Sequence, residues 1–309
     1  MIYFERNSSY SILFKRQPSI WLEMAMEVFM DKQHAVVTGA SSGFGLLTTI
    51  ELAKKGFYVT ATMRDTKRQL ALITEAERCG VKESIEVVPL DVTSHESIIH
   101  LKGYIEEKGR IDVLLNNAGF AGAGFAEEVS LEEYRQQFET NFFGVIGVTQ
   151  AILPMMRKQG RGKIINMSSI SGRVGFPGLS PYVSSKYALE GWSESLRLEL
   201  KPFGIDVVLI EPGSYQTSIW TSGKQITDKS LHKDSPYYKV MTKLVQYIEK
   251  ESASFGNPSD VSRFVASIAV KEGTSLRYPI GKGVKSSILL KTILPWSWLE
   301  KFILKKLMK

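Results

Sequence analysis

Two side chains capable of acid–base chemistry, Tyr182 and Lys186, stand four residues apart in a segment that reads as a helix. On a helix, residues i and i+4 lie on one face, so a phenol would be held beside an ammonium group. A free tyrosine has a pKa of about 10, and a neighbouring positive charge lowers it. At about 4 Å and an effective dielectric of about 20, this interaction is worth about 4 kcal/mol and would bring the pKa to about 7. The spacing predicts a general acid–base pair, although ordinary solvated helix faces carry it too.

Short apolar strands and amphipathic helices alternate on both sides of this pair. The predicted strands span residues 34–38, 57–63, 85–90, 112–115, 163–167 and 205–211. The predicted helices span residues 43–55, 66–78, 94–108, 131–157 and 181–202. The apolar runs are continuous rather than alternating, which is typical of parallel strands covered on both faces. We therefore predict a doubly wound, Rossmann-like α/β domain with about seven parallel strands.

A glycine-rich segment between the first strand and the first helix predicts a dinucleotide site. Gly39 permits a tight turn, Gly43 lets the backbone approach a pyrophosphate, and Gly45 allows the helix to pack closely on the strand. The helix N-terminus then offers free N–H groups to phosphates. The spacing GxxxGxG departs from the general GxGxxG pattern, so the prediction rests on the strand–turn–helix context. The residues expected at the cofactor are Gly39, Ser41, Ser42, Gly43, Phe44 and Gly45.

The end of the second strand is expected to select the cofactor. An acidic residue there would hold a ribose 2′-hydroxyl, whereas a nearby arginine suits a 2′-phosphate. The predicted strand ends at Met63 and is followed by Arg64, which favours NADP(H) over NAD(H). Asp65 is the competing residue, since it would take the ribose role if the strand ran longer.

Residues 33–270 resemble the short-chain dehydrogenase/reductase family. The resemblance rests on the TGxxxGxG loop, on the Tyr182–Lys186 pair and on further motifs in the family's order. Ser169 precedes Tyr182 by 13 residues, the usual interval in that family. The further motifs are Asp91-Val92, Asn116-Asn117-Ala118-Gly119, Asn141 and Pro212-Gly213 with Thr217.

This resemblance implies an oxidoreductase that interconverts an alcohol and a carbonyl. Tyr182 would donate or accept the proton, Lys186 would lower its pKa and hold the ribose, and Ser169 would bond the substrate oxygen. Asn141 would hold a water that links Lys186 to solvent. It also implies that Asp91-Val92 lies near the adenine, Asn117-Ala118-Gly119 near the cofactor, and Pro212-Gly213 with Thr217 around the nicotinamide. One departure is Ser42, where NADP-preferring relatives often carry a basic residue.

The segment after the sixth strand is expected to cover the substrate. Its aromatic residues would line a large apolar pocket for a lipophilic alcohol or carbonyl, or would simply pack the lid. Together with Ser169, the residues expected at the substrate are Val174, Phe176, Tyr215 and Trp220. None of the four histidines has metal-ligand spacing, and the single cysteine, Cys79, excludes a cysteine-based zinc site, so we expect no metal.

The charge of +7 lies in the C-terminal tail, because residues 271–309 carry nine Lys/Arg and two Asp/Glu. The preceding 270 residues are balanced at 30 of each, which argues against nucleic-acid binding by the main domain. Residues 288–307 form a basic amphipathic pattern with tryptophans, which predicts peripheral contact with an anionic membrane. The same residues would alternatively cover the core or close the pocket.

Three regions are therefore expected: an N-terminal extension at residues 1–29, a catalytic domain at 30–270 and a helical C-terminal extension at 271–309. Met30 is a candidate start, and the alternative is an amphipathic N-terminal arm. The chain is expected to be cytoplasmic, with peripheral membrane association through its tail. Family members pair through the helices at 131–157 and 181–202, which implies a homodimer or homotetramer. The alternative functions are a non-catalytic NAD(P)-binding sensor or scaffold and a membrane- or partner-binding protein that acts through its tail.

Overall fold

Nine short strands lie within residues 32–217, 219 and 223–308, which are the residues that the computed structural model describes. The N-terminal extension at 1–29 and Trp220 lie outside these residues. The strands are β1 (His34–Val37), β2 (Tyr58–Met63), β3 (Ile85–Pro89), β4 (Val113–Asn116), β5 (Ala121–Ala123), β6 (Gly162–Met167), β7 (Ile205–Pro212), β8 (Lys224–Ile226) and β9 (Arg277–Ile280).

Seven of these strands form one parallel sheet in the order β3-β2-β1-β4-β6-β7-β9. The order runs outward in both directions from β1 and β4, so the predicted doubly wound fold is confirmed. The seventh strand, β9, lies beyond residue 270, in the segment that the sequence pattern treats as an extension. Its residues include Arg277 and Pro279, so no continuous apolar run marks it, and a proline is tolerated because β9 is an edge strand. The sheet therefore ends after the expected boundary at 270.

Eleven α-helices connect or follow the strands in the described part of the chain. They are α1 (Gly43–Lys54), α2 (Leu70–Arg78), α3 (His95–Lys108), α4 (Leu131–Phe138), α5 (Gly144–Gln159), α6 (Ser180–Leu200), α7 (Asp228–Leu231), α8 (Tyr238–Glu251), α9 (Pro258–Val270), α10 (Val284–Ile293) and α11 (Trp296–Met308). Within those residues, no helix combines the length and the apolar composition needed to cross a membrane.

One predicted helix is interrupted in the structure. The predicted helix at 131–157 is two helices, α4 and α5, joined by a π-helical turn at Glu139–Phe143. The turn is only five residues long and has helical segments on both sides, which explains why the pattern predicts a continuous helix. The turn includes Asn141, one of the expected site residues.

Apolar side chains cover both faces of the sheet, as the continuous apolar strands predict. On one face, α1 packs against α9, and the core includes Leu52, Phe57 and Val265. On the other face, α3 packs against α5, with Leu101, Ile152 and Leu196 from α3, α5 and α6 in its core. The two layers hold the carboxyl ends of the strands in fixed positions.

A small second sheet was not expected from the sequence. Strand β5 follows β4 and pairs in parallel with β8, from Ala121 opposite Lys224 to Ala123 opposite Ile226. Three small residues in β5 give no strand signal, so only the tertiary structure reveals the pairing. It ties the segment after β7 to the loop after β4.

Lys163 on β6 is buried, and its ammonium group caps the carboxyl end of α9. Its Nζ donates to the backbone oxygens of Ile268, Ala269 and Lys271 at 2.7, 2.9 and 2.6 Å. The last carbonyls of a helix have no partner within it, so this side chain satisfies groups that would otherwise be buried without hydrogen bonds.

We expect Lys163→Met to lower the free energy of unfolding by about 2 kcal/mol, because buried carbonyls lose a charged donor. Urea unfolding measures this value. Lys158→Met, at an exposed position near the end of α5, is the matched control and should change stability by less than about 0.5 kcal/mol. Equal stability of the two variants would contradict the proposed capping role.

Candidate active site

A cleft of about 1110 Å³ opens at the carboxyl edge of the sheet, where β1 and β4 diverge. In doubly wound sheets, ligands bind in this crevice because the chain leaves the two strands toward opposite faces. Most of the expected site residues line it: Gly39, Ser41, Ser42, Phe44, Arg64, Asp91, Val92, Asn117, Ala118, Gly119, Asn141, Ser169, Tyr182, Lys186, Pro212, Gly213, Tyr215 and Thr217.

Two glycines in and directly after the loop that follows β1 leave no room for a side chain. Gly39 has a φ of +69°, and a Cβ atom there would lie 2.8 Å from the Cα of Ala118. A Cβ on Gly45, in the first turn of α1, would lie 2.2 Å from the backbone oxygen of Gly39. Gly43 begins α1, whose N-terminus faces the cleft through Ser42 and Phe44. Close backbone approach and exposed helix N–H groups are the features that fit a pyrophosphate.

Asn117 holds this loop against the end of β4. Its Nδ2 donates to the backbone oxygens of Thr38 and Gly39 at 2.9 and 3.1 Å. The Thr38 hydroxyl in turn accepts from the backbone N–H groups of Asn117 and Ala118 at 2.9 and 3.0 Å. The two walls of the cleft are therefore joined at the sheet edge by hydrogen bonds.

The end of β2 places two arginines and one carboxylate near the cleft. Arg64 directly follows the strand, is exposed and lines the cleft together with Arg68. The carboxylate of Asp65 accepts from the backbone N–H of Lys67 at 3.0 Å and caps the 3₁₀ turn at Thr66–Gln69. The strand does not run longer than predicted, so Asp65 is used by the turn. The sequence does not predict Arg68 at the cleft, because its pattern places this residue in a helix. In the structure Arg68 belongs to the 3₁₀ turn at Thr66–Gln69 and lines the cleft.

Asp91 and Val92 lie after β3 and shape the neighbouring wall. The Asp91 carboxylate accepts from the backbone N–H and the hydroxyl of Thr93 at 2.9 and 2.7 Å. Val92 is buried, and a Cβ on Gly144 would lie 2.9 Å from its side chain. This contact packs the start of α5 against the wall, so the glycine after the π-helical turn is a packing requirement.

Ser169, Tyr182 and Lys186 meet at the floor of the cleft. Tyr182 and Lys186 lie one turn apart on α6 and are both buried, with Nζ of Lys186 5.7 Å from the centre of the Tyr182 ring. Lys186 Nζ donates to the backbone oxygen of Met167 at 2.7 Å, at the carboxyl end of β6. Ser169 follows the same strand, and its Oγ accepts from the backbone N–H of Ser171 at 3.1 Å.

Burial raises the pKa of Tyr182, whereas the spacing to Lys186 predicts a lowered pKa. Removal from water raises the pKa of Tyr182 to about 12, and a hydrogen bond with Ser169 only partly opposes this rise. Burial also lowers the pKa of Lys186 to about 8, against the attraction of Glu190. The expected pKa of about 7 is therefore wrong for the structure, because both charged forms lose solvation. A buried phenol with this pKa keeps its proton at neutral pH.

Asn141 is held by the π-helical turn at Glu139–Phe143. Its Oδ1 accepts from the N–H of Phe120 at 3.1 Å, and its Nδ2 donates to the backbone oxygen of Phe120 at 3.0 Å. The same Nδ2 lies 3.4 Å from the hydroxyl of Ser185 on α6. The side chain thus joins the loop after β4 to the helix that carries Tyr182.

The nucleotide-binding loop and the Ser169, Tyr182 and Lys186 group occur together on a doubly wound sheet, and the family comparison agrees. The model of the short chain dehydrogenase family matches residues 33–226. The chain belongs to the short-chain dehydrogenase/reductase family. It is therefore an oxidoreductase, as its motifs predict, and a purely non-catalytic sensor is not supported.

This dehydrogenase/reductase aligns with two relatives over most of their length. An uncharacterized oxidoreductase, YusZ, of Bacillus subtilis (strain 168) is 49% identical over 90% of this chain and 99% of that protein. A 3-ketodihydrosphingosine reductase of Bacteroides thetaiotaomicron is 36% identical over 82% of this chain and 89% of that protein. A solved variant of actinorhodin polyketide ketoreductase with NADPH has a TM-score of 0.69, is 28% identical and covers 82% of this chain and 98% of that one.

The expected substrate residues of this dehydrogenase/reductase are only partly on the cleft wall. Ser169 and Tyr215 line it, but Tyr215 packs edge-on against Phe44 at 5.8 Å, on the nucleotide side. Val174 and Phe176 are not among the described residues that line the cleft, and Phe176 is exposed. Trp220 lies outside the described residues. Hydrophobic character alone cannot tell a pocket wall from a neighbouring surface.

A buried carboxylate pair behind Lys186 was not singled out by the sequence. Glu190 lies one turn after Lys186, and Glu211 lies near the end of β7. Arg277 Nε reaches Glu190 at 2.9 Å and Glu211 at 3.5 Å, and Arg173 reaches Glu211 at 3.0 Å. Burial and the charge of Glu190 raise the pKa of Glu211. The i+4 spacing from Lys186 to Glu190 was the signal available, and it resembles an ordinary exposed ion pair.

The lowered pKa of Lys186 makes its effect on stability depend on pH. The unfolded chain holds this proton up to about pH 10.5, whereas the folded chain releases it near pH 8. The buried charge therefore destabilises the fold below pH 8. This penalty disappears as the pH rises from about 8 to about 10.5. A shift of about 2.5 units corresponds to about 3 kcal/mol.

We expect the unfolding free energy of Lys186→Met, relative to the wild type, to fall by up to about 3 kcal/mol between pH 7 and pH 10.5. Urea unfolding of both proteins at several pH values measures this change. The bond to Met167 is lost at every pH and adds a constant offset. Lys158→Met should show no such trend, and a pH-independent difference for Lys186→Met would refute the assignment.

Proposed function

We propose that this chain is an NADP(H)-dependent oxidoreductase that interconverts an alcohol and a carbonyl on a lipophilic substrate. The observation that carries the proposal is the buried group of Ser169, Tyr182 and Lys186 at the floor of the cleft. A phenol that keeps its proton at neutral pH is equipped to donate it to a carbonyl oxygen as negative charge develops there.

Each residue of the group has a separate role in this proposal. Bound nicotinamide nucleotide would supply the hydride for reduction or accept it for oxidation. Tyr182 donates its phenolic proton to the substrate oxygen, and the Ser169 hydroxyl stabilises the charge on that oxygen. Lys186, positively charged below about pH 8, stabilises the phenolate that remains. Asn141 positions the loop after β4 against α6, so that the cleft floor keeps its shape.

The NADP(H) preference is supported by the charges at the end of β2. Arg64 and Arg68 line the cleft there, and Asp65 already accepts a backbone hydrogen bond within its own turn. Guanidinium groups bind phosphate through charge-assisted hydrogen bonds, whereas a ribose hydroxyl requires an acceptor. The two guanidinium groups favour a 2′-phosphate, and they offset the absence of a basic residue at Ser42.

The lipophilic substrate is supported by the relative named 3-ketodihydrosphingosine reductase, since that compound is a ketone with a long alkyl chain. Phe120 and Ile219 supply apolar surface on the cleft wall of this chain. Tyr237 instead stacks on Phe125 at 4.2 Å and packs the lid. A homo-oligomer through α4, α5 and α6 stays a prediction, favoured by exposed Leu131, Phe143 and Leu198 on or beside these helices.

Tyr182→Phe is expected to lower kcat for NADPH-dependent reduction of a long-chain ketone by about 10²–10⁴, because the proton donor is lost. NADPH affinity, measured by fluorescence titration, should change by less than about threefold, since the nucleotide loop is untouched. Tyr247→Phe, at an exposed position on α8, is the matched control and should keep full activity. Substantial turnover by Tyr182→Phe would refute the proposed proton donor.

Arg64→Ala is expected to weaken NADPH binding by about 10- to 100-fold, because a charged hydrogen bond contributes about 1.5–3 kcal/mol. NADH binding should be nearly unchanged, and Arg68→Ala should show a smaller effect in the same direction. Fluorescence titration with both nucleotides measures the ratio. Arg263→Ala, an exposed arginine on α9, controls for a general loss of positive charge. An equal loss for both nucleotides would contradict selection through the 2′-phosphate.

A further inference from the structure

The C-terminal helices expose a dense group of large apolar side chains. Seven of them lie between residues 289 and 304, each about half exposed or more, and Trp298 and Phe302 are 65% and 69% exposed. Large exposed apolar areas mark interaction surfaces. We call it the tail surface, and its members are Leu289, Leu290, Ile293, Trp296, Trp298, Phe302 and Leu304.

Trp298 and Phe302 do not belong to the packing face of α11. Helix α11 contacts α8, and its half-buried residues, Leu299 and Ile303, lie one turn apart. Trp298, Phe302 and Lys305 follow the spacing of a second face, and all three are exposed. The protein core therefore accounts for Leu299 and Ile303 but leaves the two aromatic side chains facing outward.

Positive charge accompanies these outward aromatic residues. Lys301 and Lys305 share the exposed face of α11 with Trp298 and Phe302, and Lys285 is exposed at the start of α10. Between residues 284 and 305, Glu300 is the single acidic residue in the sequence. A face that combines tryptophan, phenylalanine and lysine matches an interface of acyl chains below anionic headgroups.

We propose that the tail surface docks on an anionic lipid bilayer, with Trp298 and Phe302 inserted at the headgroup boundary and Lys301 and Lys305 at the phosphates. A second copy of the chain fits this surface less well. A symmetric pairing of α11 would bring the lysines of both copies together, and like charges at such a contact are destabilising. An anionic bilayer instead complements both groups, because its phosphates attract the lysines and its acyl chains accept the aromatic side chains.

Helix α10, which carries part of the tail surface, contacts the segment between Ser169 and α6. Lys291 of α10 donates to the backbone oxygen of Arg173 and to the hydroxyl of Tyr187, near the turn that follows Ser169. Helix α8, which α11 contacts, approaches the loop at Gly178, just before α6. The docking itself does not depend on activity.

Co-sedimentation of the full-length protein with vesicles tests the proposal. We expect binding to vesicles of equal parts phosphatidylcholine and phosphatidylglycerol to be at least about tenfold stronger than to pure phosphatidylcholine, and to weaken at 0.5 M salt. Trp298→Ser with Phe302→Ser, and separately Lys301→Gln with Lys305→Gln, should each reduce binding about tenfold. Ile99→Ser with Phe203→Ser removes exposed apolar area elsewhere and should leave binding unchanged.

The outcomes separate docking from folding and from self-association. The substituted side chains are exposed, so urea midpoints should match the wild type, and NADPH titration shows that the cleft is intact whether or not turnover is found. The proposal would be overturned if the wild-type protein did not bind anionic vesicles. It would also be overturned if the tail variants bound them as strongly as the wild type. A tail variant that loses mass in sedimentation equilibrium while keeping vesicle binding would assign the surface to a second copy instead.

Discussion

The common direction of the seven strands is the constraint on which the site depends, because it brings every carboxyl end to one edge of the sheet. The loop after β1 and the loop after β4 meet there, and Asn117 bonds them through the oxygens of Thr38 and Gly39. The end of β6 supplies the Met167 oxygen that holds Lys186. Functional side chains are thus fixed to strand ends, which the two apolar layers hold in place.

Burial sets the chemistry at this edge more than pairing does. Tyr182 and Lys186 both lose water, so the phenol keeps its proton and the ammonium group releases its own near pH 8. Glu190 and Glu211 stand behind them with Arg173 and Arg277, and burial weakens the ionisation of Glu211 as well. The lost solvation of these charged groups costs stability. The same low-dielectric floor, however, strengthens interactions with a charge that develops on a substrate.

Much of the fold follows from local pattern, and the exceptions have physical causes. Continuous apolar runs mark the first six strands of the sheet, while β9 escapes because Arg277 and Pro279 break its run at an edge where strong pairing is not needed. The sequence does not reveal the π-helical turn around Asn141, because this turn spans only five residues between two helical segments. In the site, Arg68 and Glu211 escape because their approach to the cleft and to Glu190 is a long-range property.

By itself, the sequence determined the family, the parallel α/β fold and part of the set of residues around the cleft. These properties are encoded in short-range spacing, as in the four-residue step from Tyr182 to Lys186 or the glycines from Gly39 to Gly45. Only the tertiary structure decided the direction of the Tyr182 pKa, the engagement of Asp65 within its turn, and the outward position of Trp298. Each of these depends on solvent access and on contacts between residues distant in the chain, and such contacts leave no signal in local sequence.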